Sequence, residues 1–124
     1  FVFYAEWNNL NGTLPTTFGL LHDLEELDFQ NNAFSGRIPS EIGELDKLVY
    51  ADLSSNLFSG SLPEEIGLLA DLQFLIVASN LLTGSVPSSF VYLDSLGTYR
   101  YSRDVFLSVS LRMPDTTCLS HTYT

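Results

Sequence analysis

Cysteine, basic residues and long apolar runs are all scarce in this 124-residue chain, and each scarcity removes a class of answer. The single cysteine, Cys118, has no partner for an internal disulfide, and without a C-x-x-C pair or a Cys/His cluster no zinc site is expected. The longest uninterrupted apolar run is Phe74-Leu75-Ile76-Val77-Ala78. A spanning helix needs roughly 20 such residues, so no membrane span is expected in this segment. Lys and Arg number 5 against 15 Asp and Glu, a formal net charge of −10. The imbalance is local: residues 1–95 carry 13 acids and 2 bases (−11), whereas residues 96–124 carry 2 acids and 3 bases (+1). An acidic body repels phosphate backbones and anionic lipid, so neither nucleic acid nor a generic membrane surface is an expected partner. The chain opens without methionine or a basic-then-apolar leader, and residue 1 falls inside a repeat, so it reads as a piece of something longer.

What the chain does contain is a repeat. Asn32-Ala33-Phe34-Ser35-Gly36-Arg37-Ile38-Pro39 recurs at a constant offset of 24 residues as Asn8 to Pro15, Asn56 to Pro63 and Asn80 to Pro87, with no insertion. A fixed period in this range marks a solenoid, in which each unit buries its apolar face only against its neighbours.

Three parts make up each repeat. The first is a short strand opened by Leu24, Leu48, Leu72 or Leu96. Its inward columns are Phe3, Leu27, Ala51, Leu75, Tyr99 and, two residues on, Ala5, Phe29, Leu53, Val77, Tyr101, the period of two that a strand shows. The second is a turn led by Asn8, Asn32, Asn56 and Asn80. An amide side chain both donates and accepts, so a column of them can satisfy backbone groups that a narrow coil would bury unpaired. Asp104, an acceptor only, should end that column. Gly12, Gly36, Gly60 and Gly84 suit a tight bend or a close backbone approach. Leu10, Phe34, Phe58, Leu82 and Phe106 form the next apolar column, followed by Leu14, Ile38, Leu62 and Val86. The third part begins after Pro15, Pro39, Pro63 and Pro87, which stop strand pairing. Phe18, Ile42, Ile66, Phe90 and, three residues on, Leu21, Leu45, Leu69, Leu93 predict a short helical turn, with Thr16, Ser40 and Ser88 as caps. Gly19, Gly43 and Gly67 argue against a long helix. Residues 1–106 are thus four turn signatures plus a partial fifth strand. Residues 107–124 are a divergent tail, where the alternation of Val105, Leu107, Val109 and Leu111 suits a capping strand.

The pattern L-x-x-L-x-L-x-x-N-x-L-x-G-x-I-P, complete from Leu24 to Pro39 with aromatic substitutions, resembles the plant-type leucine-rich repeat family. The resemblance implies an α/β repeat solenoid: a right-handed superhelix with a concave parallel β-sheet and short convex helical turns. It also implies a receptor-like or secreted recognition protein, extracellular or at the cell surface, as in receptor-like kinase ectodomains, receptor-like proteins and polygalacturonase inhibitors. The cysteine-paired caps of that family are absent here, as are a kinase domain and a membrane span. Open ends of the core would then favour association.

On a stacked sheet the outward columns are Val2, Glu26, Tyr50, Phe74, Thr98; Tyr4, Asp28, Asp52, Ile76, Arg100; and Glu6, Gln30, Ser54, Ala78, Ser102. Tyr50, Phe74 and Ile76 are therefore expected to form an exposed apolar cluster beside Asp28 and Asp52 and next to Arg100, a ligand-binding patch for a protein or peptide. The acid pair suits a basic ligand or a cation. Asn11-Gly12-Thr13 is the one N-x-[ST] sequon, a glycan acceptor if the chain is secreted. A second row, Asn11, Ser35, Ser59, Thr83 with Thr13, Arg37, Ser61, Ser85, offers small polar groups to a repetitive surface, interrupted by Arg37. Catalysis has no support: repeat geometry places no nucleophile beside His22 or His121, and Glu64-Glu65 reads as an exposed turn pair. The glycines are spaced for turns rather than for phosphate, and no cofactor is expected. The expected function is a non-enzymatic binding module that uses its concave face. The alternatives are a soluble inhibitor or recognition protein for cell-wall carbohydrate or polygalacturonase-type enzymes, and a spacer within a larger receptor.

Overall fold

The computed structural model describes residues 1–92 and the backbone of the strand at 98–100. The side chain of Arg100, Asp104 and the whole tail with Cys118 and His121 lie outside the described residues.

Among the described residues nine short strands fall into two parallel sheets. Strands β1 (Val2–Tyr4), β3 (Glu26–Asp28), β5 (Tyr50–Asp52), β7 (Phe74–Ile76) and β9 (Thr98–Arg100) form one sheet in that order. Strands β2 (Asn11–Gly12), β4 (Ala33–Gly36), β6 (Leu57–Gly60) and β8 (Leu81–Leu82) form the other. Sequential pairing with a helical turn in every crossover makes this an α/β repeat solenoid, the fold expected from the period. In the first sheet Val2, Glu26, Tyr50, Phe74 and Thr98 stand in line, so partners are separated by the full 24-residue repeat. In the second sheet Asn11 pairs Ala33, Ser35 pairs Leu57 and Ser59 pairs Leu81, an offset of 22. Each coil therefore slides by two residues relative to the last on that side only, a shear that sequence period does not reveal.

The predicted inward columns are the core from the second coil to the fourth; in the first coil Phe3 and Leu10, expected inward, are exposed because no coil covers them in the structure, and Leu93, Leu96, Tyr99, Tyr101 and Phe106 have side chains outside the described residues. Leu24, Leu48 and Leu72 are fully buried, as are Leu27, Leu53 and Val77, and the columns at Ile38, Ile42, Leu45, Leu62, Ile66 and Leu69 close it from the other sides. A spine of phenylalanines runs along the axis: Phe29 meets Phe3 edge-on at 5.1 Å between centroids, Phe18 at 5.6 Å and Phe34 at 5.0 Å, and Phe34 stacks on Phe58 at 6.1 Å. Such pairs contribute about 0.5–1.5 kcal/mol each beyond their burial.

The asparagine column behaves as its chemistry requires. Asn56 is buried; its Nδ2 donates to the carbonyls of Phe29 (2.8 Å), Leu53 (3.2 Å) and Ser54 (3.1 Å), and its Oδ1 accepts the Phe34 N–H at 3.0 Å. Asn32 and Asn80 repeat the pattern, accepting from Leu10 and Phe58. Every bond that reaches back to the previous coil satisfies a backbone group between strands, where no ladder partner exists. Asn8 has no earlier coil before it in the structure and bonds only the nearby carbonyls of Ala5 and Glu6.

Residues just ahead of this column adopt left-handed backbone: Trp7, Asn31, Ser55 and Ser79 have φ of 54° to 56°. Only Asn31 is a residue type that favours it, so the sequence gives little warning of this recurring feature. Gly36 and Gly60, at φ 77°, take the tight bend expected of them.

The convex segments are 3₁₀ turns at Thr16–Leu20, Ser40–Glu44, Glu64–Leu68 and Ser88–Tyr92. Thr16 and Ser40 are not their caps, contrary to expectation. Pro15, Pro39 and Pro63 occupy that place with extended backbone and no side-chain cap bond, because the proline carbonyl itself accepts the N–H that closes each turn, as Phe18 N–H does to Pro15. Ser88 sends its N–H and its hydroxyl to Glu64 of the previous coil.

Glu64, exposed as expected of the Glu64-Glu65 turn pair, also reaches one coil forward. Its carboxylate accepts the N–H groups of Ser88 and Ser89 at 3.1 and 3.0 Å. These backbone bonds, from Ser89 first and then Ser88, hold its pKa below the ordinary glutamate value. A group with a lowered folded pKa stabilises the fold above its unfolded pKa and loses that contribution as pH falls through the folded one. The unfolding temperature of E64A should accordingly lie below that of the parent at pH 7, with the gap closing on acidification through the carboxylate range. A gap independent of pH would show that the contact acts through packing alone.

Candidate functional site

The first sheet carries the outward columns predicted for it, and they do not form one uniform patch. Tyr50, on β5, and Phe74, on β7, are register partners whose rings lie 6.1 Å apart at 50°. Phe74 is 40% exposed, Tyr50 and Ile76 are half-buried. Phe74 takes the exposed position expected of it, whereas Tyr50 and Ile76, expected to be exposed, are partly covered.

The acid pair differs from the expectation. Asp52 is buried, with its Oδ1 accepting the Ser54 N–H at 2.9 Å and its Oδ2 facing the Tyr50 hydroxyl at 3.5 Å. Asp28 is half-buried and similarly engaged: Oδ1 accepts the Gln30 N–H and Oδ2 the Gln30 side-chain amide, both at 3.0 Å. An aspartate at a strand exit folds back on the backbone two residues on. Alternation alone assigns it an outward direction and cannot foresee that fold-back. The geometry leaves Asp28 at a cleft wall and Asp52 beneath the surface.

Between β1, β3 and β5 the surface sinks into an open cleft of about 350 Å³, lined by Tyr4, Glu6, Glu26, Asp28, Val49, Tyr50 and Phe74. Tyr4, Glu6 and Glu26 belong to the outward columns, but the sequence reading did not single them out. Their signal was charge and ring type on neighbouring outward positions. The Tyr4 hydroxyl donates to Glu26 Oε2, and this bond is the main reason its pKa lies above the ordinary phenol value. Burial, then the charges of Asp52 and Asp28, raise Tyr50 as well. Both phenols therefore stay neutral donors throughout the physiological range. The described residues contain two Lys or Arg side chains, and neither neutralises this cleft: Lys47 pairs with Asp23, and Arg37 lies against Gly60 on the second sheet. Ile76, on β7 with Phe74, is not among the residues that line the cleft.

Asn11 and Thr13 of the sequon are both exposed, Asn11 on β2. His22 contacts the Glu44 carbonyl through Nδ1 at 3.0 Å, an inter-coil bond on the convex side. Among the described residues no group of three or more His, Cys, Asp or Glu is placed to hold a metal ion, and no helix is long and apolar enough to cross a membrane.

A solenoid of 24-residue coils with a polar, aromatic-lined sheet face and an asparagine ladder defines a repeat-type scaffold. Its repeats are leucine-rich repeats of the plant type, and the family model described as Leucine Rich Repeat matches residues 23–45 and 47–69. No curated protein matches the chain significantly. Among solved structures it is similar to a chain of the BIR3–SERK2 complex from Arabidopsis thaliana, at 39% identity and a TM-score of 0.71, covering 75% of this chain and 50% of that one. It is similar to the plant peptide hormone receptor RGFR1 in complex with RGF2, at 36% identity and TM-score 0.79, over 81% of this chain and 16% of the receptor. The ectodomain of the receptor kinase SOBIR1 from Arabidopsis thaliana matches at 31% identity and TM-score 0.77, over 87% of this chain and 57% of its own. The chain thus spans about half or less of two of these relatives and under two thirds of the third.

Proposed function

We propose that this chain is a non-enzymatic recognition module that binds a protein or an extended peptide across its concave sheet, as part of a receptor-like or secreted protein outside the cell. The observation that carries the reading is the exposed Phe74 beside Tyr50 and Ile76, at the edge of a cleft on a sheet built from rigidly stacked coils. Aromatic anchors next to a polar rim are the usual source of interface energy, and an extended ligand running along the solenoid would cross one strand about every 4.8 Å. Two of the similar structures support the class of partner: one is a peptide hormone receptor in complex with RGF2, the other a BIR3–SERK2 complex. The exposed sequon at Asn11 accords with a secreted setting.

A random dodecapeptide library displayed on phage and selected on the 124-residue chain provides the test. Selected peptides should lose at least ~10-fold in affinity for F74S/I76S, as expected for truncating an anchor, while the unfolding temperature stays nearly unchanged. Enriched peptides that bind the double variant as well as the parent would remove the concave patch from the reading.

A further inference from the structure

We infer that the first coil is a self-association surface, through which two copies of this chain pair about a two-fold axis with their β1 strands antiparallel. The inference stands apart from the concave-face reading and uses a different part of the molecule.

The surface is a cross-section of the core. Phe3 and Leu10 hold the column positions at which Leu27 and Phe58 are fully buried, yet they are 40% and 42% exposed. Phe18 stacks beside Phe3 at 6.2 Å between centroids and is half-buried. Phe1, Val2, Tyr4 and Trp7, on the same coil, are each exposed by half or more. Large apolar side chains gathered at one end mark an interaction site, whereas single ones scattered over a surface do not.

The backbone gives a second observation. Among the described residues β1 pairs β3 on one side and no strand on the other, so it presents a row of N–H and C=O groups without ladder partners. Edge strands are normally blunted by a charge, a proline or a bulge, and Val2, Phe3 and Tyr4 supply neither of the first two. The asparagine column agrees. Asn32, Asn56 and Asn80 each accept a backbone N–H of the coil before through Oδ1, whereas Asn8 bonds only through Nδ2, within its own turn.

Charge chooses the occupant. Residues 1–22 contain one acid, Glu6, and no Lys or Arg, whereas residues 23–95 contain 12 acids and 2 bases. Two copies of so acidic a body repel each other, and the first coil is where that repulsion is least. A strand edge is also self-complementary: antiparallel pairing needs no difference between partners, and centring it on Phe3 sets the Val2 of each copy against the Tyr4 of the other. Such an isologous contact closes at two copies.

Sedimentation velocity of the 124-residue chain over a wide range of concentration tests this. A monomer–dimer equilibrium with no larger species is expected, strengthened by added salt, which screens the repulsion between the acidic bodies. On concentration, the amides of β1 should exchange with solvent more slowly, and the emission of Trp7, the one tryptophan of the chain, should move to shorter wavelength. V2E and L10E each place a carboxylate in the contact and should weaken the dimer at least ~10-fold, with the unfolding temperature of the diluted monomer near that of the parent. Should a variant lose stability, the exchange of β1 in the parent decides. A monomer at every concentration, growth beyond the dimer as a head-to-tail stack requires, dimers whose β1 amides exchange as fast as the monomer's, or a dimer weakened by salt would each overturn the proposal. Phe74 and Ile76 stand on β7, three strands along the sheet, so peptide capture through them is judged separately.

Discussion

Replacing Asn56 with alanine should cost about 2–4 kcal/mol of stability, and the same change at Asn8 close to nothing. The two residues occupy one column, and what separates them is the coil behind. Asn56 is buried, and its loss leaves the Phe34 N–H without its inter-coil partner and removes the shorter of two bonds to the Phe29 carbonyl, while the carbonyls of Leu53 and Ser54 keep Asn80 Nδ2 and the Asn31 N–H. An unsatisfied buried polar group costs about 1–3 kcal/mol, and water cannot enter a coil closed by Phe29, Leu53 and Phe58. Asn8 is exposed, bonds two carbonyls within its own turn and can hand them to solvent. Equilibrium urea unfolding of the two variants beside the parent reads the contrast directly. Equal losses at both positions would mean that the column acts through local turn formation and not through stacking.

The second large effect is expected at Gly43. A Cβ on this residue would lie 2.5 Å from the carbonyl oxygen of Glu65 in the next 3₁₀ turn. The obstacle is backbone, so no rotamer change relieves it. The turns Ser40–Glu44 and Glu64–Leu68 would have to separate, opening the core at Ile42 and Ile66. Overpacking of this kind costs typically about 1–3 kcal/mol, and G43A should fall at or above the upper end. Gly12 is the control: nothing lies within 4 Å of the added carbon, and the cost there is confined to holding an alanine at φ 92°. A thermal melt in which G43A is no less stable than G12A would show that the convex turns tolerate slippage.

The site is the product of the same stacking. Tyr4, Glu26, Tyr50 and Phe74 come from three different coils plus a fourth, and only the 24-residue register of the first sheet brings them side by side. A destabilised ladder would therefore loosen the cleft before it unfolded the chain, which is why binding and unfolding have to be measured on the same variants.

Much of this was written in the sequence. The period of 24, the inward columns and the donor–acceptor character of asparagine determined the solenoid, its core and its ladder, because burial, alternation and hydrogen-bonding capacity are properties of residue type and spacing. The exposure of Phe74 beside Tyr50 followed from the same alternation. Only the tertiary structure decided the rest. The 22-residue offset of the second sheet arises from how coils slide, which no column of like residues records. The left-handed backbone at Trp7, Ser55 and Ser79 recurs just before each asparagine of the column, against the preference of those residues. The proline carbonyl displaced Thr16 and Ser40 as caps, and Gly19 and Gly43 turned out to be points of contact between coils as much as helix breakers. Asp52 left the surface because a carboxylate at a strand exit binds the nearest backbone N–H, and Tyr4, Glu6 and Glu26 gained their place because a cleft is a property of neighbours that lie 24 residues apart in sequence and one strand apart in space.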